Sequence, residues 1–117
     1  LAATELAELI EKGETYSEKT RKYLKEILSP YVGKVDSVVL GCTHYPFVKN
    51  EISEIMGKGV KIFDGGRGTA KETKRRLSES GLKKKPGTCG SVEIINSLGT
   101  PEIISLSKKL LQSAKKC

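Results

Sequence analysis

The stretch VVLGCTHYPF, residues 38–47, joins the pattern of a buried strand to side chains that can carry chemistry. Its apolar run ends at Gly41, Cys42 follows at once, and His44, the single histidine of the chain, lies two positions later. Four interpretations are open from these residues alone. They are a nucleophile with its base, half of a metal site, a proton-transfer pair, or an ordinary turn.

Strands alternate with helices on both sides of this stretch. Residues 35–41 form a nearly continuous apolar run, which suits a parallel strand covered on both faces. Residues 60–63 (VKIF) and 91–97 (SVEIINS) predict two further strands, and helical patterns separate the three. The order α-α-β-α-β-α-β-α favours an α/β layered fold with a mostly parallel sheet.

Helix boundaries are predicted from capping residues and prolines. Thr15 with Glu18 and Thr69 with Glu72 each have the spacing of a capping box. The helix after Thr69 is strongly polar, which predicts a surface position. The segment 100–101 (Thr-Pro) is expected to start the last helix. Its inner face is predicted to hold Ile103, Ile104, Leu110 and Leu111.

Two loops follow the first two predicted strands, and each could hold a ligand. In parallel sheets, ligands bind beyond the carboxyl ends of the strands, here residues 41–45 and 64–68. The second loop belongs to DGGRGTA, which is glycine-rich but has neither the dinucleotide-binding nor the P-loop spacing. Its glycines are therefore interpreted as serving a tight strand-to-helix turn.

Composition limits the classes of function. The formal net charge is +7, but the lysine and arginine runs at 74–76, 83–85 and 115–116 lack the interleaved aromatic residues that stack nucleic-acid bases. We therefore expect a solvated basic surface and no nucleic-acid partner. No apolar run reaches the roughly 20 residues that cross a bilayer, so no membrane association is expected.

The three cysteines, Cys42, Cys89 and Cys117, are too few for a secreted disulfide framework, which favours a reducing cytoplasm. Cys42 and His44 lack the paired spacing of a zinc site, so no metal is expected.

Cys42 has a context that favours the thiolate. It precedes a helix expected to begin near Pro46, whose N-terminus carries partial positive charge, and a histidine is close. A thiol with a pKa near neutrality can take or give a proton. An inert buried cysteine remains an alternative. A hydrolase would also need a third group to orient the imidazole of His44.

Four segments together resemble one known family. VVLGCTHYPFVKNEI (38–52) closely resembles the second catalytic-cysteine segment of bacterial glutamate racemases. GVKIFDGGRGTAKE (59–72), GSVEIINSLGTPEIISLSKKLL (90–111) and LAELIEKGE (6–14) resemble the segments around it, so the resemblance spans nearly the whole chain.

The resemblance implies cofactor-independent interconversion of L- and D-glutamate, which supplies D-glutamate for peptidoglycan. In that reaction one cysteine removes the α-proton and a second reprotonates the opposite face. Cys42 matches the second cysteine. His44 matches the histidine that assists it and contacts substrate, and Thr43 matches a substrate-binding threonine.

The family's N-terminal half, with its Asp-Ser motif and its first cysteine, has no counterpart here. The chain is therefore expected to be the C-terminal portion of a two-domain racemase and inactive alone. Residues 1–63 would belong to the domain that carries Cys42, and residues 64–117 would return to the other. The resemblance implies a cytoplasmic enzyme that is a homodimer at full length. A non-catalytic basic module that binds nucleic acid or an anionic partner is the alternative.

Overall fold

In the computed structural model, residues 1–114 are described, with side chains described as far as residue 112. The predictions that involve Cys117 and Lys115–Lys116 fall outside this range. The α-helices are α1 (Thr4–Glu11), α2 (Glu18–Leu28), α3 (Lys49–Met56), α4 (Gly66–Glu79) and α5 (Pro101–Ala114). The strands are β1 (Ser37–Leu40) and β2 (Lys61–Asp64), and short 3-10 helices span Ser29–Tyr31 and Tyr45–Val48.

The two strands confirm the predicted parallel pairing. Ser37 lies opposite Lys61 and Leu40 opposite Asp64, so both strands end at the same level. The connection between them runs through α3, which makes a β-α-β unit. As a result, the two loops predicted to hold a ligand emerge side by side.

The core lies where α1, α2 and α3 pack on one face of this sheet. Its buried members are mainly the apolar faces of the helices, namely Leu6, Ile10, Leu24, Leu28, Leu40, Val48, Ile52 and Met56. Leu110 of α5 packs against the same cluster. Helix α5 otherwise departs from its predicted inner face at Leu111, which is exposed.

The opposite face of the sheet is open within the described residues. Val39 is 73% exposed, and Phe63, its register partner, is 53% exposed. The expectation that the first strand is covered on both faces is therefore wrong for this part of the chain. Alternation along β1 buries Leu40 and turns Val39 outward, because helices pack on one side only.

The predicted third strand, residues 91–97, does not form. This segment has neither helix nor strand structure, and Val92, Ile95 and Leu98 are 77%, 83% and 73% exposed. A strand exists only when its backbone N–H and C=O groups pair with a neighbour, and the described residues provide none at this position. Apolar composition alone therefore gave the wrong assignment.

Both predicted capping boxes are also wrong. The N-cap of α2 is Ser17, whose Oγ accepts a hydrogen bond from the Thr20 backbone N–H at 3.2 Å. Thr15 is buried instead. Helix α4 begins three residues before Thr69, which lies inside it. The N-cap there is Gly65, and the Oδ1 of the preceding Asp64 accepts a hydrogen bond from the Gly66 N–H at 3.0 Å.

Helix α4 and its basic residues lie on the surface, as its polarity predicts. Arg75 and Arg76 form ion pairs with Glu72, and Arg75 also pairs with Glu79. The basic run at 74–76 is therefore partly neutralised by its own helix. None of the described helices is long and apolar enough to span a membrane.

Ser17 and Thr69 provide a test of the capping assignment. Replacing Ser17 with Ala removes a real N-cap and should lower the free energy of unfolding by about 1 kcal/mol. Replacing Thr69 with Ala, the matched control inside α4, should leave it unchanged or slightly raised because alanine favours helix interiors. Urea titrations followed by circular dichroism measure both. A larger loss for Thr69→Ala than for Ser17→Ala would contradict the assignment.

Candidate active site

The candidate site lies at the carboxyl ends of β1 and β2. Gly41, Cys42 and Thr43 follow β1, and Gly65 and Gly66 follow β2. All five line one cavity of about 850 Å³, whose other wall is helix α4. The structure thus brings together the two loops that the sequence predicts to hold a ligand. It also places the cysteine in a cavity rather than in the core.

Cys42 is partly buried, and its surroundings favour the thiolate. Its pKa is lowered, first by a hydrogen bond from the backbone at His44 and then by the His44 imidazole, with a smaller contribution from the backbone at Tyr45. Partial burial works in the opposite direction but is outweighed. The predicted α-helix N-terminus is here the 3-10 turn Tyr45–Val48, with Pro46 in its first turn. Backbone hydrogen bonds at His44, just before this turn, and at Tyr45, its first residue, therefore act on the thiol where a helix N-terminus was expected.

His44 lies between Cys42 and a carboxylate. Its Nδ1 is 3.8 Å from the Cys42 Sγ, and its Nε2 is 2.9 Å from Oε1 of Glu11. A carboxylate can only accept, so Nε2 carries a proton and Nδ1 faces the sulfur. A proton shared between Sγ and Nδ1 can then move along this pair. Thr43 adds its hydroxyl, with Oγ1 3.4 Å from the same Nδ1.

Opposing effects act on the pKa of His44. Partial burial disfavours the imidazolium, whereas hydrogen bonds to Cys42 and Glu11 and their negative charges favour it. The net result is a raised pKa. Thiolate and imidazolium therefore stabilise each other, and the Glu11 carboxylate supports the pair from the far side.

Glu11 is the site residue that sequence reasoning missed. It lies 33 positions before His44, on the exposed side of α1, and its local pattern is that of any solvated helical glutamate. The contact depends on packing between α1 and the turn after Cys42. One visible link is the Tyr45 hydroxyl, which donates to the Ala3 carbonyl at 3.0 Å. No spacing rule would have found it.

The second loop is held by Asp64 at the end of β2. Its Oδ2 accepts a hydrogen bond from the Lys49 ammonium at 2.9 Å, and its Oδ1 accepts one from the Gly66 N–H at 3.0 Å. These two contacts, with the Lys49 bond first, lower the pKa of Asp64. A Cβ at Gly66 would lie 3.2 Å from Oδ1, so a side chain there would crowd this contact. The sequence interpretation is thus supported at Gly66, whereas a Cβ at Gly65 or Gly68 would meet nothing closer than 4.0 Å.

The structure also gives the position of Cys89 and of the groups that could hold a metal ion. Cys89 is exposed and does not line the cavity. Among the described residues, no group of three or more His, Cys, Asp or Glu side chains is placed to hold a metal ion.

The contribution of His44 to the acidity of Cys42 can be measured directly. Alkylation by iodoacetamide follows the thiolate, so the pH midpoint of the Cys42 rate should lie below that of an unperturbed cysteine thiol. His44→Asn should raise this midpoint but leave part of the lowering, because the backbone hydrogen bond at residue 44 remains. Peptide-resolved mass spectrometry separates Cys42 from the other cysteines.

Two glutamates of α1 provide the controls. Glu11→Gln should raise the Cys42 midpoint less than His44→Asn does, because it acts only through the imidazole. Glu8→Gln alters a carboxylate that pairs with Lys12 instead and should leave the midpoint unchanged. A Cys42 midpoint that is insensitive to His44→Asn would contradict the assigned contact.

Comparison with known proteins identifies close sequence relatives. Glutamate racemase from Clostridium perfringens (strain ATCC 13124) is 45% identical over 108 residues, which cover 92% of this chain and 42% of that protein. Glutamate racemase from Clostridium botulinum (strain Alaska E43) is 44% identical over 115 residues, covering 97% of this chain and 45% of that protein. The chain thus spans about two fifths of the length of the curated relatives it matches. No family model matches it.

Solved structures agree with the sequence relatives. The crystal structure of glutamate racemase from Francisella tularensis, in complex with D-glutamate, matches 92% of this chain and 40% of that chain, with a TM-score of 0.70 and 25% identity. Glutamate racemase isoform RacE1 from Bacillus anthracis matches 67% of this chain and 30% of that chain, with a TM-score of 0.57 and 29% identity. In sequence and in fold, the chain is therefore homologous to glutamate racemases and corresponds to their C-terminal part.

Proposed function

We propose that this chain acts as the C-terminal part of a glutamate racemase and carries one of its two proton-transfer groups. The observation that supports this most strongly is the Cys42–His44–Glu11 network at the ends of the paired strands. It holds a thiol of lowered pKa in a cavity large enough for a small ligand. The similarity to glutamate racemases then indicates the reaction in which this thiol would take part.

In the proposed reaction, proton transfer alone inverts the α-carbon of glutamate. A thiolate on one face removes the α-proton, and a thiol on the other face donates a proton to the resulting carbanion. Cys42 supplies one of these groups, so it accepts the proton in one direction and donates it in the other. The other cysteine would come from the part of a full-length racemase that this chain does not match, and Cys89, the other cysteine among the described residues, lies outside the cavity.

His44 and Thr43 complete the role of this chain. The imidazole stabilises the thiolate form of Cys42 through Nδ1, and Glu11 keeps that nitrogen facing the sulfur. The Thr43 hydroxyl lines the same cavity and can donate to a substrate carboxylate. Because an α-proton is very weakly acidic, the carbanion also needs polar groups in a site closed to water.

The proposal extends to the biology and assembly of the whole protein. Its product, D-glutamate, would serve peptidoglycan synthesis in the cytoplasm, and the full-length enzyme would be a homodimer. Residues 1–63 and 64–117 would belong to two different α/β domains. Neither a cofactor nor a metal is required, because two cysteines are sufficient for the proton transfers.

A chimera tests the proposal. In it, this chain replaces the matching segment of the Clostridium perfringens racemase, and NMR in D₂O follows deuterium entering the α-position of L- and D-glutamate. We expect the chimera to racemise both enantiomers and the 117-residue chain alone to racemise neither. Cys42→Ala should lower turnover in the chimera by at least about 10³-fold, since it removes an obligatory proton donor.

Cys89→Ala is the matched control, because it removes a thiol outside the cavity, and it should leave turnover unchanged. Two results would contradict the proposal. One is near-normal turnover by the Cys42→Ala chimera. The other is a folded wild-type chimera, shown by its circular dichroism spectrum, that exchanges no α-proton.

A further inference from the structure

The side chain of Tyr45 makes a contact that the proton-transfer steps do not use. Tyr45 directly follows His44 and opens the 3-10 turn Tyr45–Val48. Its hydroxyl donates to the Ala3 carbonyl at 3.0 Å, across 42 positions of the chain. Tyr45 is not among the residues that line the cavity beside Cys42. Its hydroxyl is therefore directed to the start of helix α1 and away from the ligand.

Ala3 is a fixed point at the beginning of α1. It is the N-cap residue of this helix and is only 6% exposed. Its carbonyl accepts a hydrogen bond from the Leu6 N–H at 3.1 Å within the first turn. A carbonyl oxygen can accept two hydrogen bonds, and the Tyr45 hydroxyl supplies the second. This bond attaches the first turn of α1 to the segment that follows Cys42.

Helix α1 connects this attachment to Glu11, its last residue. The helix is continuous, and its buried Leu6 and Ile10 hold it on the core, so its two ends move together. They lie about 12 Å apart along the axis, given the rise of an α-helix. Near its first end α1 is bonded to Tyr45, and at its last residue it is bonded to His44. Two adjacent residues of the site turn thus contact the two ends of one helix.

The hydroxyl of Tyr45 can be separated from the rest of the residue. The side chain packs against the buried core cluster, which is an ordinary structural contribution. The backbone at Tyr45 makes its own hydrogen bond to the Cys42 thiol. Phenylalanine at this position would keep both of these contacts and lose only the bond to Ala3. Any effect of that substitution on the site would therefore come from the attachment of α1.

We propose that Tyr45 is a positioning residue for the proton-transfer network. Its hydroxyl, bound to the Ala3 carbonyl, holds α1 against the turn that follows Cys42. The carboxylate of Glu11 is thereby kept in contact with the His44 imidazole. This inference rests on the proposed function only for its effect on turnover, because the state of the imidazole and of the thiol can be measured without racemisation.

Tyr45→Phe in the 117-residue chain tests the attachment. The pKa of His44, followed by ¹⁵N NMR, should fall, because Glu11 then stabilises the imidazolium less. The pH midpoint for alkylation of Cys42 by iodoacetamide should rise for the same reason. Neither change should exceed that caused by Glu11→Gln, since the hydroxyl acts through this carboxylate. Tyr31→Phe is the matched control. It removes the hydroxyl of an exposed tyrosine outside the network and should change neither value.

A double variant shows whether Tyr45 acts through Glu11. Glu11→Gln/Tyr45→Phe should give the same His44 pKa and the same Cys42 midpoint as Glu11→Gln alone, because the carboxylate to be positioned is already absent. Additive changes would overturn the proposal, since they require another route. It would also be overturned if Tyr45→Phe lowered the midpoint of a urea titration but left both values unchanged, which is the result for a merely structural hydroxyl. Circular dichroism spectra check that each variant is folded.

Turnover in the chimera separates this inference from the proposed function. Tyr45→Phe should lower kcat severalfold and leave the KM for glutamate unchanged, because Tyr45 does not line the cavity. A raised KM with an unchanged kcat would contradict the positioning role. If the chimera does not racemise, the proposed function fails, while the His44 and Cys42 measurements still decide the role of Tyr45. Racemisation with all of these quantities unchanged by Tyr45→Phe would overturn the role of Tyr45 alone.

Discussion

The parallel pairing of β1 with β2 is the constraint on which the site depends. Leu40 lies opposite Asp64, so the two strands stop at one level and their following loops share one cavity. A shift of one residue in this register would turn Leu40 out of the core and move the Cys42 loop away from Gly65–Gly66. The helices that cover the inner face therefore position the site as well as stabilise the sheet.

The packing of the helices on this sheet also sets the positions of the charged groups in the site. Helix α1 is anchored by its buried Leu6 and Ile10, and this places Glu11 at the edge of the core beside His44. The imidazole is thereby held with one nitrogen toward a carboxylate and the other toward the Cys42 sulfur. A partly exposed ion pair in isolation contributes little to stability. Here its value is in fixing which nitrogen carries the proton.

Local patterns predicted the β-α-β unit and the Cys42–His44 pair, because strand ends, turn glycines and helix periodicity are properties of adjacent residues. Three features were missed or wrong, and two of them depended on distant residues. Glu11 reaches His44 only through packing of α1. The predicted third strand at 91–97 lacks a neighbour among the described residues, and apolar residues form a strand only when the backbone can pair. At the start of α4 the N-cap is Gly65, and Asp64, a strand residue, accepts a hydrogen bond from the Gly66 N–H in place of the predicted capping box.

The measurement that tests the account most directly is ¹⁵N NMR of the imidazole, because His44 is the only histidine in the chain. Hydrogen bonding to Glu11 predicts that the neutral ring carries its proton on Nε2 and that its pKa lies above the ordinary 6.5. A ring protonated on Nδ1 when neutral, or a pKa at or below 6.5 in the folded chain, would contradict the proton-transfer network on which the account is built.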